Sequence, residues 1–312
     1  MKGEKILITG GMGFLGSHMT DHLIKDNKII CLDDTSTGNM NNINNFLKNK
    51  NFVLVKGSIM NKKILYDIMK DVDYVFHYAA VVGVKRTLEH PLKVLNVNIE
   101  GTRNVLEAAL KNNVKKVINI SSSEVYGEPV ELPEKEEDIL NAKLPYAVSK
   151  HVGELYGKAY YTTYGLKTVS LRFFNVYGPK QISTSYGFVI GIFIKQALEN
   201  KPITIYGDGK QTRDFTFIKD NITATILCAD NNSTNGEIVN IGTGKRTTIL
   251  QLAEIIKKIC NSRSTIKFIP ERRLDIVHRC ADITRMKKLI GFTPKYSLAQ
   301  GLRETIDWYK SL

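Results

Sequence analysis

The sequence predicts an α/β fold: a doubly wound parallel sheet followed by a smaller C-terminal part. Short β-branched runs alternate with helix-like segments along the first half of the chain. These runs are apolar on both faces, which is typical of parallel strands covered by helices on both sides. A glycine triplet directly follows the first run. The chain has 312 residues and 43% hydrophobic content, enough for one large domain or two packed ones.

Six runs are predicted as strands of this sheet, and helices are predicted between them. In chain order the strands are KILITG (5–10), KIICLD (28–33), FVLVKG (52–57), YVFHYA (74–79), KVINIS (116–121) and SLRFFN (170–175). Helices are predicted over 15–25 and 98–111, and a long one starts near Tyr146. Because strand–helix–strand units build doubly wound folds, residues 1–175 are predicted as a dinucleotide-binding domain.

The composition changes after Asn175, where Gly, Pro and Tyr become denser. Further helices are predicted at 187–199, 248–260 and 298–310. We predict a smaller second domain over 176–312, with 214–243 returning to the first sheet. The asparagine-rich stretch NMNNINNF (39–46) is predicted as a solvated loop or a helix start.

The net charge of +13 is compatible with nucleic acid or with an anionic small molecule. The lysines are scattered and form no basic patch interleaved with aromatic residues, which favours the small molecule and disfavours nucleic acid. The first residues run from two lysines into a strand-like stretch without a signal peptide, and no apolar run approaches the ~20 residues of a membrane-spanning helix. We therefore expect a cytoplasmic protein with no membrane partner.

Cysteine and histidine positions indicate neither a disulfide framework nor a metal site. The cysteines are Cys31, Cys228, Cys260 and Cys280. None has C-x-x-C spacing, so reduced thiols are predicted. His18 and His22 lie four residues apart on a predicted helix, but no third ligand is near them in the sequence, so no metal is predicted.

Gly10, Gly13 and Gly16 follow the first strand with G-x-x-G-x-x-G spacing and open the first helix. Such glycines let the backbone approach a pyrophosphate at the helix N-terminus. Asp33 ends the second strand about 20 residues later, where a carboxylate holds ribose hydroxyls and repels a 2′-phosphate. The following DTSTGN contains no arginine or lysine, so NAD is predicted rather than NADP.

Tyr146 and Lys150 are four residues apart and share one helix face. A phenol with a pKa of ~10 is only ~0.1% ionised at pH 7. A nearby ammonium, together with a positive nicotinamide ring, favours the phenolate, and a shift of ~3 units corresponds to ~4 kcal/mol. Tyr146 is therefore predicted as a catalytic base, with the Ser122 hydroxyl sharing the substrate proton.

These motifs resemble the extended short-chain dehydrogenase/reductases that modify nucleotide sugars. The resemblance also includes HYAA (77–80), the serine run before VYG, and LRFFNVYGP (171–179), and it continues through 281–309. It implies a homodimer in which a retained NAD oxidises the sugar C4 hydroxyl to a ketone. The cofactor contacts expected are Gly10, Gly13, Phe14, Leu15, Gly16, Asp33, Ser58, Ile59, Ala79, Ala80, Tyr146 and Lys150. Ser58 departs from the family, which often carries an acid there for the adenine amine.

The resemblance also assigns the substrate, a UDP-sugar or another nucleotide-diphosphate sugar. Its expected contacts are Lys85, Ser123, Asn175, Tyr206, Arg213, Arg272 and Arg279. Arg213 and Arg272 also suit a diphosphate on chemical grounds, since guanidinium groups bind phosphate oxygens well.

Glu124 bears on the reaction that follows C4 oxidation. A 4-epimerase needs no further base, whereas a 4,6-dehydratase or a uronate decarboxylase moves a proton at C5. The Ser-Ser-Glu triplet is similar to uronate decarboxylases and to GDP-mannose dehydratases. Arg279 matches the position where decarboxylases place an arginine for the substrate carboxylate, and residues 79–89 look like the decarboxylase loop.

The predicted order is therefore UDP-uronate decarboxylase, then UDP-hexose 4-epimerase, then 4,6-dehydratase. The alternative for Glu124 is a buried hydrogen-bonding carboxylate without a catalytic task. An NAD-binding protein without turnover is disfavoured, because it would need none of Ser122, Tyr146 and Lys150. The sequence leaves the sugar and the nucleotide open.

Overall fold

A computed structural model describes residues 1–182, 188–270 and 276–312, apart from the side chains of residues 84–86. The strands are β1 Lys5–Thr9, β2 Lys28–Asp33, β3 Phe52–Lys56, β4 Tyr74–His77, β5 Lys116–Ser122, β6 Thr168–Phe173, β7 Val176–Tyr177, β8 Ile203–Tyr206, β9 Thr212–Arg213, β10 Thr216–Phe217, β11 Glu237–Ile241, β12 Thr247–Thr248 and β13 Ile266–Ile269. The α-helices are α1 Phe14–Leu23, α2 Lys62–Ile68, α3 Val84–Glu89, α4 Pro91–Lys111, α5 Pro145–Tyr164, α6 Val189–Leu198, α7 Ile218–Asp230, α8 Ile249–Ile259, α9 Thr284–Ile290 and α10 Leu298–Lys310. Short 3₁₀ helices cover Met40–Asn42, Asn44–Phe46, Ser123–Tyr126 and Asn232–Thr234.

In the described part of the chain, seven parallel strands form the main sheet in the order β11-β6-β5-β4-β1-β2-β3. The strand order reverses between β1 and β4. In such sheets a ligand crevice lies outside the carboxyl ends of the strands at this reversal. The predicted doubly wound α/β fold is confirmed.

The β1 side chains show why the strands are apolar on both faces. Ile6 and Ile8 belong to the hydrophobic core on one side of the sheet, and Leu7 belongs to the core on the other. All three are fully buried. The successive side chains of a strand point to opposite faces, so a sheet with two covered faces needs an apolar residue at every position.

The C-terminal half adds strand β11 to this sheet and contributes the strands of three two-stranded sheets among the described residues. Strand β11 pairs in parallel with β6, from Glu237 opposite Val169 to Ile241 opposite Phe173. The smaller sheets pair β10 with β7, β12 with β9, and β13 with β8. The division of the chain at residue 175 stays a prediction.

Of the two predictions for the asparagine-rich stretch, the structure agrees with the helix start rather than with the solvated loop. The stretch forms two 3₁₀ helices, and Asn42, Ile43 and Phe46 are buried. Asn42 Nδ2 and the Asn39 N–H both donate to the Met12 carbonyl, at 3.0 and 3.1 Å. The stretch therefore folds over the glycine-rich loop.

No helix in the described ranges is long and apolar enough to cross a membrane. The four cysteines carry free thiols, and three of them are buried.

Candidate active site

A cavity of about 670 Å³ opens at the carboxyl end of the sheet. It is lined by the loops after β1, β2, β3, β4 and β5, by the start of α5 and by the segment after β6. Most of the sequence-predicted site residues line it: Gly10, Gly13, Phe14, Leu15, Gly16, Asp33, Ser58, Ile59, Ala79, Ala80, Ser122, Ser123, Glu124, Tyr146 and Asn175.

The glycine-rich loop leaves no room for side chains. Gly10 has φ +69°, and a Cβ there would lie 2.8 Å from the Ala79 nitrogen. A Cβ on Gly16 would collide with the Gly10 carbonyl. The backbone can therefore pass close beneath a ligand, and the N–H groups of the first turn of α1 are available to a diphosphate.

The Asp33 carboxylate lies at the end of β2 and is held by backbone donors. The Met12 N–H donates to Oδ2 at 3.0 Å, and the Thr35 N–H donates to Oδ1 at 2.8 Å. Burial raises the pKa of Asp33, and these two hydrogen bonds oppose the rise. A carboxylate at this edge of the cavity accepts ribose hydroxyls well and disfavours a 2′-phosphate. The loop and Asp33 together fit the adenosine diphosphate half of NAD.

The three predicted catalytic side chains Ser122, Tyr146 and Lys150 come together where β5 meets α5. Helix α5 begins at Pro145, so Tyr146 and Lys150 lie in its first two turns. Lys150 Nζ donates to the Ile120 carbonyl at 2.7 Å and lies 5.8 Å from the centre of the Tyr146 ring. The Ser122 hydroxyl favours the charged form of Tyr146 and so acts to lower its pKa.

The protein groups alone hold Tyr146 in its neutral form. Burial raises the pKa of Tyr146; the Ser122 hydroxyl opposes the rise and the Glu124 carboxylate reinforces it. Burial also lowers the pKa of Lys150 to about 8, with Glu154 opposing. The expected lowering of the Tyr146 pKa by Lys150 is therefore not met by the protein groups, because desolvation outweighs an ammonium 5.8 Å from the ring. A cationic nicotinamide ring, when bound, would favour the phenolate.

A buried ion pair that the sequence analysis missed lies behind these residues. Glu154 accepts two hydrogen bonds from Arg172, from Nε and Nη2, each at 2.8 Å. It also accepts the Ser121 hydroxyl at 2.6 Å. Glu154 is four residues after Lys150, so α5 is attached to the end of β5 at both positions. The sequence signal for this ion pair was the i, i+4 spacing of Lys150 and Glu154, which places both on one face of the helix. A glutamate on a helix is ordinarily exposed, so the spacing alone did not indicate a buried Glu154.

Glu124 lies in the short 3₁₀ helix that follows β5, and its side chain lines the cavity. Its N–H donates to Ser122 Oγ at 3.2 Å, which fixes the start of this turn. The negative charge of this carboxylate adds to the rise in the pKa of Tyr146 that burial causes.

Arg279 does not face the cavity, which corrects the expectation that it binds a substrate carboxylate. Its side chain is 1% exposed and pairs with Glu134 at 3.0 Å. The guanidinium also donates to the Ser123 carbonyl and, at 3.2 Å, to the Gly127 carbonyl. Burial raises the pKa of Glu134 to about 7, and Arg279 opposes this rise. Arg279 therefore supports the turn that carries Glu124.

Of the remaining predicted substrate residues, Tyr206 and Arg213 do not line this cavity. Arg213 Nη1 donates to the Thr212 carbonyl at 2.9 Å, and Tyr206 is 36% exposed at the end of β8. Arg272 lies outside the described residues, as does the side chain of Lys85 in α3.

Lys180 lines the cavity and was missed by the sequence analysis. It comes directly after the motif LRFFNVYGP (171–179). A single lysine after a proline carries no pattern that would identify it.

Comparison with known proteins places these motifs in one family. The model of the NAD dependent epimerase/dehydratase family matches residues 6–242. A UDP-N-acetyl-alpha-D-glucosaminuronate decarboxylase of Bacillus cytotoxicus is 36% identical and aligns over 99% of this chain and 98% of its own length. A putative UDP-glucose 4-epimerase of Methanocaldococcus jannaschii is 38% identical over 98% of both chains.

A solved structure is similar over the whole chain. It is a UDP-N-acetylglucosamine 4-epimerase from Methanobrevibacter ruminantium in complex with UDP-N-acetylmuramic acid. Its TM-score is 0.96 and its sequence identity 41%, covering 100% of this chain and 99% of that one. The family match and the site geometry show that this chain belongs to the NAD-dependent epimerase/dehydratase family of nucleotide-sugar enzymes.

Proposed function

We propose that the protein is a UDP-hexose 4-epimerase that works through a transient 4-keto sugar. The observation that carries this choice is the burial of Arg279. A uronate decarboxylase must hold a substrate carboxylate, and burying an unpaired carboxylate is costly. The described part of the cavity lining contains no arginine, and its one cationic side chain is Lys180. A neutral hexose needs no such partner.

Tyr146 and Ser122 are the groups of this chain that would move the proton of the sugar C4 hydroxyl, once a bound cationic nicotinamide favours the Tyr146 phenolate. The Tyr146 oxygen accepts this proton when C4 is oxidised and returns it when C4 is reduced, while the Ser122 hydroxyl bonds the same oxygen. Lys150 supplies positive charge beside the phenol. Bound NAD would supply the hydride chemistry at C4 in both directions, towards the ketone and back. The keto sugar has to rotate within the cavity between oxidation and reduction, so that C4 is reduced from its opposite face.

UDP-uronate decarboxylase, the first choice from the sequence, becomes the second candidate. The presence of Glu124 in the cavity lining favours it, since a carboxyl group can move a proton at C5. The Bacillus relative named as a decarboxylase supports it as well. A 4,6-dehydratase stays third.

Incubation with single UDP-sugars separates these reactions. The substrates are UDP-glucose, UDP-N-acetylglucosamine, UDP-glucuronate and UDP-N-acetylglucosaminuronate, and the products are read by mass and by proton NMR. The proposal expects unchanged mass with inverted C4 configuration for a neutral sugar. Loss of carbon dioxide from a uronate, or loss of water, would refute it.

A Glu124→Gln variant tests the role of this carboxylate. If the enzyme is an epimerase, the variant retains NAD binding and turns over within about threefold of the parent, because the reaction needs no second base. A loss of a hundredfold or more in turnover, with NAD binding intact, would favour the decarboxylase.

A homodimer also belongs to this proposal. Leu92 at the start of α4 is 72% exposed, and Leu155 and Tyr164 on α5 are 55% and 62% exposed. Exposed apolar side chains on two adjacent helices favour burial against a second copy. Sedimentation velocity at micromolar concentration tests this, and a monomer would contradict it.

A further inference from the structure

Lys180 occupies an unusual backbone conformation beside the cavity. Residues 178–181 form a tight turn closed by the Gln181 N–H on the Gly178 carbonyl at 3.3 Å. Pro179 is the second residue of this turn, and Lys180 follows with φ +68°. Glycine or asparagine is usual at the third position of such a turn, since other side chains are strained there. Strain of this kind recurs at ligand clamps, so the side chain of Lys180 merits a functional explanation.

The Lys180 ammonium contacts the asparagine-rich stretch. Its Nζ donates to the Asn42 carbonyl at 3.1 Å and lies 5.7 Å from the centre of the Phe46 ring. The side chain is partly buried and lines the cavity. Burial lowers the pKa of Lys180, and Asp21 opposes this. The ammonium is thus a cation next to a neutral carbonyl and a ring, on a residue that lines the cavity.

Hydrogen bonds connect Lys180 to the cofactor end of the cavity. Asn42, which accepts from Lys180, donates through Nδ2 to the Met12 carbonyl at 3.0 Å. The Met12 N–H donates to Asp33 at 3.0 Å. The chain of contacts therefore runs from Lys180 over the glycine-rich loop to the carboxylate that fits the adenosine ribose.

The turn itself is fixed on helix α1. His18 Nε2 and the Pro179 carbonyl are 2.8 Å apart. Burial lowers the pKa of His18 to about 4, so the ring is neutral at pH 7 and Nε2 is the donor in this contact. Lys180 is consequently held against the same helix whose N-terminus opens onto the cavity.

We propose that Lys180 binds the diphosphate of NAD and holds residues 39–46 closed over the cofactor. The glycine-rich loop offers neutral N–H donors, whereas a diphosphate carries two negative charges. An ammonium adds charge-assisted contacts that are about twice as strong as neutral ones. A cofactor that is reduced and reoxidised within one reaction never has to leave, so a contact that slows its release suits this chemistry. The proposal depends on the family's use of NAD and not on which sugar is the substrate.

A UDP-sugar also carries a diphosphate, so the test compares both ligands. Purified Lys180→Met and Lys180→Arg variants are stripped of nucleotide and titrated by calorimetry with NAD and, separately, with UDP. Lys48→Met is the matched control. Lys48 lies just after the asparagine-rich stretch, but its side chain is exposed. The NAD dissociation rate is measured by stopped-flow displacement at low and high salt.

We expect Lys180→Met to weaken NAD binding on the order of ten- to a hundredfold, mainly through faster dissociation. The difference in NAD affinity between the parent and Lys180→Met should shrink as salt rises from 0.05 to about 0.5 M, since screening weakens the attraction between the Lys180 ammonium and the diphosphate. Lys180→Arg should retain most of the affinity, and Lys48→Met all of it. Unchanged NAD affinity in Lys180→Met would overturn the proposal, and so would a loss confined to UDP.

Discussion

Replacing Glu154 by glutamine tests how the base-bearing helix is attached to the sheet. The side chains of Glu154 and Arg172 are 0% and 2% exposed. Two hydrogen bonds at 2.8 Å join them, and the Ser121 hydroxyl adds a third contact at 2.6 Å. Burial would raise the pKa of Glu154, but hydrogen bonds led by Arg172 outweigh it and lower this pKa, so the carboxylate is charged at pH 7.

The expected loss in the free energy of unfolding follows from the charge that remains buried after the substitution. Glutamine keeps the size of the side chain but removes its charge, so the Arg172 guanidinium stays buried without a counterion. Breaking a buried pair by removing one partner typically costs about 3–5 kcal/mol. Glu154 also raises the pKa of Lys150, so its removal should lower that pKa further below about 8.

Urea unfolding followed by far-UV circular dichroism measures the first effect, and the pH profile of turnover measures the second. Glu304→Gln is the matched control, because Glu304 forms an ion pair with Lys219 at 2.7 Å in which both side chains are exposed. Surface pairs of this kind contribute about 0–1 kcal/mol. The double variant Glu154→Gln with Arg172→Met should recover part of the loss, since no uncompensated charge remains.

A Glu154→Gln variant that unfolds within about 1 kcal/mol of the parent would refute this reasoning. So would a pH profile of turnover that does not move, because Lys150 would then be insensitive to the charge one helical turn away.

Three further predictions concern the cofactor end and the catalytic lysine. Lys150→Met should stabilise the protein at pH 7 by up to about 3 kcal/mol while abolishing turnover. Burial lowers the pKa of Lys150 from 10.5 to about 8, so its penalty is fully present below pH 8 and fades as pH rises towards 10.5. Urea unfolding at pH 7 and pH 10 should show the gain shrinking, and an equal gain at both values would contradict it. Asp33→Asn should reduce the preference for NAD over NADP on the order of tenfold, measured as the ratio of dissociation constants; an unchanged ratio would show that Asp33 does not repel a 2′-phosphate. Gly10→Ala should abolish NAD binding and lower the free energy of unfolding more than Gly3→Ala does. Gly3 also has a positive φ, but nothing lies within 4 Å of its added Cβ. Equal losses in urea unfolding would mean that the close approach of Ala79 does not destabilise the Gly10 variant.

Local pattern was enough to predict the sheet and the cofactor end. Strand β1 and the glycine triplet are contiguous in sequence, and Asp33 closes the very next strand, so short-range geometry determines how they meet. Tyr146 and Lys150 are likewise joined by one helix. Ser122 could be added because the carboxyl ends of parallel strands lie at one edge of a sheet.

Contacts between distant residues could not be predicted in this way. Arg279 is 156 residues from Ser123 and has the expected charge for a substrate carboxylate, yet packing places it inside the protein beside Glu134. The asparagine-rich stretch looked solvated because its residues are polar, but Asn42 is buried by bonding to Met12.

The sequence by itself determined the fold class and predicted the residues of the NAD site and the tyrosine–lysine pair, because each depends on residues that are neighbours along one strand, turn or helix. The tertiary structure decided which charged side chains face the ligand. It buried Arg279 and Glu154 as structural partners and brought Lys180 to the cavity. That outcome depends on the cost of removing each charge from water, which is set by groups far away in the chain.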